Sequence, residues 1–266
     1  MSNSRGLAAP VFVVGDIHGH PEILLALLRD AGVVDAEGHW QGAGARVWLV
    51  GDLTDRGPDG IAAIDLVRRL ERESEGALQC LLGNHEVLLL AAHRFPNEQT
   101  SLAGRSFHEL WKLNGGVDAD LRGLTADHVG WIEERPPLVL DGEWLLLHAD
   151  TPEYLELGDS VASVGERAAK LLRHGTADDF DLLWMLTTDR MRLVDPAAVD
   201  ALLDAYGGTR IVHGHTPIAS IRGIDPADVT APLVYGDGRV MNVDHCLFAG
   251  GRGFVTRLEG GSGPKT

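Results

Sequence analysis

Cysteine is nearly missing from this chain: of 266 residues, only Cys80 and Cys246 carry a thiol. Two cannot build a disulfide framework at this length, which predicts a reduced, intracellular setting. Basic residues are also scarce, with 23 Lys and Arg against 39 Asp and Glu, for a formal charge of −16. A protein that binds nucleic acid by neutralising its backbone needs a basic face, so that class is disfavoured. Anionic substrates stay open, because bound divalent cations can supply the positive charge. No run approaches the roughly 18 apolar residues of a membrane span. The N-terminal "MSNSRGLAAP" lacks the apolar core of a secretion signal. These absences predict a soluble, cytoplasmic protein with no nucleic-acid or membrane partner.

What is present is an apolar fraction of 44%, ample for a buried core. Short β-branched runs, "VFVVG" (11–15), "RVWLVG" (46–51) and "ALQCLLG" (77–83), each end in glycine, as buried strands running into tight loops do. Between them, residues 21–32 and 59–73 place apolar side chains at three- and four-residue spacing, with Pro21 and Pro58 at the helix starts. This β-α-β-α-β opening predicts parallel neighbouring strands with helices packed on them. The stretch 135–150 reads as a hairpin around Asp141-Gly142. β character returns at 210–217, 238–244 and 251–259. We expect one α/β domain over 1–266, with helical insertions at 96–135 and 151–206 and a disordered tail at 260–266.

Polar clusters stand where these strands end: "GDIHG" (15–19), "GDLTDRG" (51–57), "GNHE" (83–86), "HAD" (148–150) and "HGH" (213–215). Loops at the carboxyl ends of parallel strands converge on one crevice, so Asp16, His18, Asp52, Asn84, His148 and His215 can meet. Taken singly, a Gly-Asp turn is an ordinary turn and a lone histidine an ordinary hydrogen-bonded residue. Nothing structural requires all of them, in this order, at strand ends. A set mixing carboxylate, imidazole and amide suits Mn²⁺, Fe or Zn²⁺, and six ligands suit two metals sharing one carboxylate. Such a pair activates water and clamps phosphate oxygens.

These motifs, with "LLHAD" and "VHGHTP", resemble the calcineurin-like metallophosphoesterase superfamily, in particular the phosphoprotein-phosphatase branch with its bacterial and phage-type Ser/Thr phosphatases. The resemblance spans roughly residues 11–258. It implies a four-layer α/β/β/α sandwich of two mixed sheets with a dimetal site at one edge. It also implies that Asp16 and His18 bind the first metal, Asp52 bridges, and Asn84, His148 and His215 bind the second. His85 matches the histidine that protonates the leaving alkoxide, Asp55 its orienting carboxylate, and Arg56 the phosphate-gripping guanidinium, with Asn84 beside it. A second phosphate-binding arginine is expected after "LLW" (182–184), as Arg190 or Arg192, with Arg190 favoured. The "GHT" motif favours His215 over His213 as ligand. His20 reads as an exposed residue at a helix start, and Trp111, Trp131 and Trp184 read as core or cap packing. Asp150 and Tyr154 are expected near the mouth of the site.

The implied activity is dimetal-dependent phosphomonoester hydrolysis with a metal-bridging hydroxide as nucleophile and manganese as first-choice metal. The substrate is a phosphorylated protein or a small phosphoester. Hydrolysis of diadenosine tetraphosphate or a related polyphosphate is the alternative. A non-catalytic metal-binding scaffold is a third reading, which the His85, Asp55 and Arg56 set argues against.

Overall fold

The computed structural model describes residues 9–101 and 104–259, so the tail expected at 260–266 lies outside the described residues. β1 (Val11–Val14), α1 (Pro21–Asp30), β2 (Arg46–Leu49), α2 (Gly60–Glu73) and β3 (Leu78–Cys80) come first, and α3 (Asn84–Arg94) follows at once. Helices α4 (Phe107–Leu113), α5 (Asp118–Gly123) and α6 (Ala126–Ile132) precede the hairpin of β4 (Leu138–Asp141) and β5 (Trp144–Leu147). Then α7 (Val161–His174), α8 (Ala177–Leu186) and α9 (Pro196–Tyr206) lead to β6 (Arg210–His213). The described chain closes with α10 (Ile218–Arg222), β7 (Leu233–Tyr235), β8 (Val240–Asn242) and β9 (Val255–Leu258). Local chemistry sets several helix starts: Pro21 and Pro196 occupy first turns, and the Asp59 carboxylate accepts the Ala62 N–H. Ser106 and Glu109 close a reciprocal cap on α4.

The strands form two mixed sheets, ordered β3-β2-β1-β9 and β4-β5-β6-β8-β7. β1, β2 and β3 run parallel, as do β5, β6 and β8, while β9, β4 and β7 pair antiparallel at the sheet edges. The layering follows from the two-residue period of a strand. Val13, Trp48, Trp144, Leu146 and Val212 join one apolar cluster between the sheets. Their alternates Val14, Val47, Leu49, Leu145, Leu147 and Ile211 belong to the cluster built with the helices. Each central strand is therefore apolar on both faces, and helices cover the outer faces of two stacked sheets, as the resemblance implied. Helix α5, helix α10 and strand β7 were not foreseen; the helices hold six and five residues, too few for a helical period to register, and no residue of β7 is fully buried.

One surface cluster carries a pH signature. Burial would raise Glu73, but the Trp40 N–H and the side chains of Arg69 and His39 hold it down at about 2. A depressed carboxyl pKa stabilises the fold above the unfolded value, about 4.3, and that stability drains away as pH falls toward 2. Glu73→Gln should therefore unfold at lower denaturant than wild type at pH 6, with the difference vanishing near pH 2. Urea titrations at the two pH values check this; a gap that persists at pH 2 contradicts it.

Candidate active site

The parallel strands deliver their following loops to one edge of the sandwich. Asp16 and His18 follow β1, Asp52 follows β2, Asn84 and His85 open α3 after β3, His148 follows β5 and His215 follows β6. All seven are buried. Close approach makes this possible: a methyl group on Gly83 would stand 2.2 Å from the Asp52 backbone nitrogen, so the β2 and β3 loops pack backbone to backbone. Glu86, one position past His85, ties them together. Its carboxylate accepts the backbone N–H groups of Gly83, Asp52, Leu53 and Thr54 at 2.8–3.2 Å. Burial, then the Asp52 charge, pushes Glu86 up to about 7.

Two groups of three donor residues converge here, His18–Asp52–His85 and Asp52–His148–His215, each with its donor atoms within 4.8 Å of one another. Asp52 belongs to both. The histidine tautomers suit metal binding. His18 Nδ1–H donates to Thr54 C=O at 2.9 Å, His148 Nδ1–H to Val50 C=O at 2.8 Å, and His215 Nε2–H to Thr188 C=O at 2.9 Å. Each then turns its remaining lone pair inward. His148 Nε2 faces Asn84 Oδ1 at 3.0 Å and Asp52 Oδ1 at 3.3 Å, three acceptors gathered in a buried pocket. His215 Nδ1 and His85 Nε2 are buried without a hydrogen-bond partner among the described residues. Converging lone pairs and orphaned ring nitrogens are stable around positive charge, so the donor set fits divalent cations. His85 differs in one respect: its Nδ1 donates to a carboxylate, Asp55 Oδ2, at 2.8 Å.

Electrostatics points the same way. Burial, then the charges of Asp244 and Asp52, lifts Asp16 well above the usual carboxylate range, and burial pushes Asp244 up to about 6. Burial alone would raise Asp52, but His148, His85 and His18 hold it well below that range. Desolvation depresses His18, His148 and His215, which favours their neutral rings. Asp16 lies outside both three-residue groups; its two oxygens accept the His215 N–H at 3.1 Å each. The backbone is strained at this edge: His18, Asp52, Asp55, Arg56 and His215 all have φ between 44° and 65°, a region non-glycine residues enter at a cost.

The two arginines favoured by sequence sit at the rim. Arg56 Nη1 donates to His18 Nε2 at 3.0 Å, and its guanidinium lies 4.4 Å over the Phe248 ring. Arg190 donates to the His215 carbonyl, whereas Arg192 is exposed and pairs with Asp189. His213 turns to the Tyr235 hydroxyl at 2.8 Å, and His20 stands at the start of α1 without a side-chain capping bond, half-buried rather than exposed. Asp150 and Tyr154, expected near the mouth, are instead fully buried. Asp150 accepts the Met191 N–H and the Thr216 hydroxyl, and the Tyr154 oxygen accepts the Ala149 N–H. Sequence reasoning passed over Asp244 and Phe248, which follow β8 in "NVDHCLF". A polar cluster at a strand end was the signal that could have found Asp244.

A family model described as calcineurin-like phosphoesterase matches residues 9–219. The chain belongs to the calcineurin-like phosphoesterases. PrpE of Oceanobacillus iheyensis, an asymmetrical bis(5'-nucleosyl)-tetraphosphatase, is 29% identical over 85% of this chain and 84% of its own. Serine/threonine-protein phosphatase 1 of Salmonella typhimurium is 29% identical over 71% of this chain and 83% of its own. A symmetrical bis(5'-nucleosyl)-tetraphosphatase of Thioalkalivibrio sulfidiphilus is 30% identical over 59% of this calcineurin-like phosphoesterase, a match spanning 50% of that relative's length. Among solved structures, a cold-active protein-tyrosine phosphatase of a Shewanella species superposes with TM-score 0.68 at 20% identity, over 95% of this chain and 76% of that one. A yeast protein serine/threonine phosphatase gives 0.59 at 16% identity, over 99% and 84%. At such identities these structures bear on the fold alone.

Proposed function

We propose that this calcineurin-like phosphoesterase hydrolyses phosphomonoesters of alcohols, with phosphoserine and phosphothreonine in proteins as its substrate class. The observation that carries this reading is the buried His85–Asp55 pair, joined at 2.8 Å, with His85 Nε2 unpartnered. An alkoxide leaves poorly unless it is protonated, and a general acid is what that step requires. Asp55 holds the imidazole by Nδ1, so the proton to be given sits on Nε2. The leaving oxygen takes that proton as the phosphorus–oxygen bond breaks, and a water molecule supplies the oxygen gained by phosphorus.

Asp16, His18, Asp52, Asn84, His148 and His215 are the residues we assign to two divalent cations, manganese first. When bound, such a pair activates water and neutralises charge on the phosphate. Arg56 and Arg190, both at the rim, bind the phosphate oxygens, a task for which a planar guanidinium offers two parallel donors. Asn84, whose Oδ1 faces His148 Nε2 at 3.0 Å, is assigned to the second cation and to the substrate phosphate.

The alignment with PrpE across most of both chains favours a second reading, hydrolysis of a dinucleoside tetraphosphate. Its leaving group is a phosphate chain, which departs without a proton more readily than an alkoxide does. A side-by-side assay of a phosphoserine peptide and diadenosine tetraphosphate with the manganese-loaded protein separates the two. We expect kcat/KM to favour the peptide by about tenfold or more, which is about 1.4 kcal/mol of transition-state discrimination. The reverse preference replaces the first reading by the second.

A further inference from the structure

The segment between α3 and β4 reads from sequence as a helical insertion with packing tryptophans, yet its polar atoms converge on a single dipeptide. Trp111 of α4 is fully buried, and its indole N–H donates to Asp55 Oδ1 at 2.8 Å. The other oxygen of that carboxylate holds His85. Three residues further on, the Asn114 carbonyl accepts Arg56 Nε at 3.3 Å, and the Gly115 carbonyl accepts the Arg56 backbone N–H at 2.8 Å. Gly115 has φ 96°, and an added methyl would stand 2.6 Å from Arg56 Cγ, so this close contact needs glycine. Asp120 of α5 completes the set: its carboxylate accepts the N–H groups of Asp55 at 3.2 Å and Gly60 at 2.9 Å. Asp55 and Arg56 stand at φ 65° and 64°. Neither residue is at ease there, and both are held by partners drawn from 111–120.

We propose that Trp111 is a positioning residue of the active site: its indole N–H fixes the Asp55 carboxylate, and through it the ring of His85. An indole nitrogen is a donor only. It occupies Oδ1 without competing for a proton, which leaves Oδ2 to the imidazole and locks the carboxylate plane from both sides. Without it, the carboxylate can rotate about its Cβ–Cγ bond, and the buried Oδ1 loses its partner. The acid would then present its proton off line. This proposal rests on the reading of His85 as the general acid.

The test compares two substrates of the manganese-loaded protein. A phosphoserine peptide releases an alkoxide that needs protonation; 2,4-dinitrophenyl phosphate releases a phenolate that does not. Trp111→Phe keeps a packed ring and deletes the donor. Trp111→His gives up the benzo ring but restores a ring N–H two bonds from Cγ, where the indole nitrogen stood. We expect Trp111→Phe to lose about tenfold in kcat on the peptide and less than about twofold on the dinitrophenyl ester, with KM unchanged for both. Trp111→His should recover most of the peptide rate despite melting at lower temperature than Trp111→Phe. A role in packing alone predicts the reverse, with the histidine variant worse and both substrates affected alike; that result overturns the proposal. Should Trp111→Phe not fold, Trp111→His alone decides: an equal loss on the two substrates overturns the proposal, and a retained peptide rate supports it. His85→Ala, run alongside, separates the two levels of inference. If it too shows no dependence on the leaving group, the acid reading itself fails; if it shows that dependence and Trp111→Phe does not, only the positioning role fails.

Discussion

His85→Ala should lower kcat on a phosphoserine peptide by about 10²–10⁴-fold, the range expected for loss of a general acid, while the protein keeps two metal ions per chain. The structure makes the second half of that expectation the sharper one. His85 Nε2 stands 3.9 Å from Asp52 Oδ2 and within the donor group of His18 and Asp52, close enough to be taken for a ligand. Its other nitrogen sets it apart from the histidines we assign to the cations. His18, His148 and His215 spend theirs on backbone carbonyls, whereas His85 spends its own on the Asp55 carboxylate. The Asp55 carboxylate fixes the ring by Nδ1 and leaves Nε2 as the atom that would give the proton. The backbone N–H of His85, donated to Asp52 Oδ1 at 3.0 Å, survives the substitution and keeps the loop in place. Elemental analysis together with kinetics reads both quantities. Loss of metal along with activity would recast His85 as a ligand and remove the acid from the mechanism.

Asp52→Asn should do the opposite, emptying both metal positions. Asp52 is the one residue shared by the two donor groups, with oxygens 3.3 Å from His148 and 3.7 Å from His18. An asparagine oxygen can still accept the His85 N–H, so the loop keeps its shape and only the shared negative charge is lost. We expect manganese content to fall from two per chain to below one. Turnover of every phosphoester should fall by about 10³-fold or more, because a metal pair is asked for several kcal/mol of the barrier. Wild-type protein stripped with chelator should match the variant and recover when manganese is returned. Two ions retained by Asp52→Asn, or full activity in chelator, would end the shared-carboxylate assignment.

Much of the architecture could be read from the sequence, because strand, turn and helix each leave a local mark. β1, β2 and β3 are apolar runs closed by glycine, and a polar cluster follows each. Those clusters, with two more after later strands, placed Asp16, His18, Asp52, Asn84, His148 and His215 at one edge, and the family resemblance added His85. Trp111 could not be placed in this way. Helical spacing shows that a tryptophan is buried, but not which carboxylate 56 positions away its N–H will meet. Asp120 and Glu86 failed for the same reason: an acidic residue in a helix reads as a solvated one until the backbone N–H groups it accepts are in view. Strand β7, which supplies Tyr235 to His213, has no fully buried residue, so its sequence carries no mark of a core strand.

The left-handed backbone of His18, Asp52, Asp55, Arg56 and His215 also bears on how this protein can be altered. Each such residue costs the fold of order 1 kcal/mol or more, and glycine would sit there at ease. A selection for heat resistance alone would therefore find ready gains at the five positions that we assign to cation ligands, the carboxylate that orients the acid, and the phosphate grip. Each gain would cost the enzyme its chemistry, so its thermal ceiling is set from within the site, and hardening has to come from elsewhere in the chain.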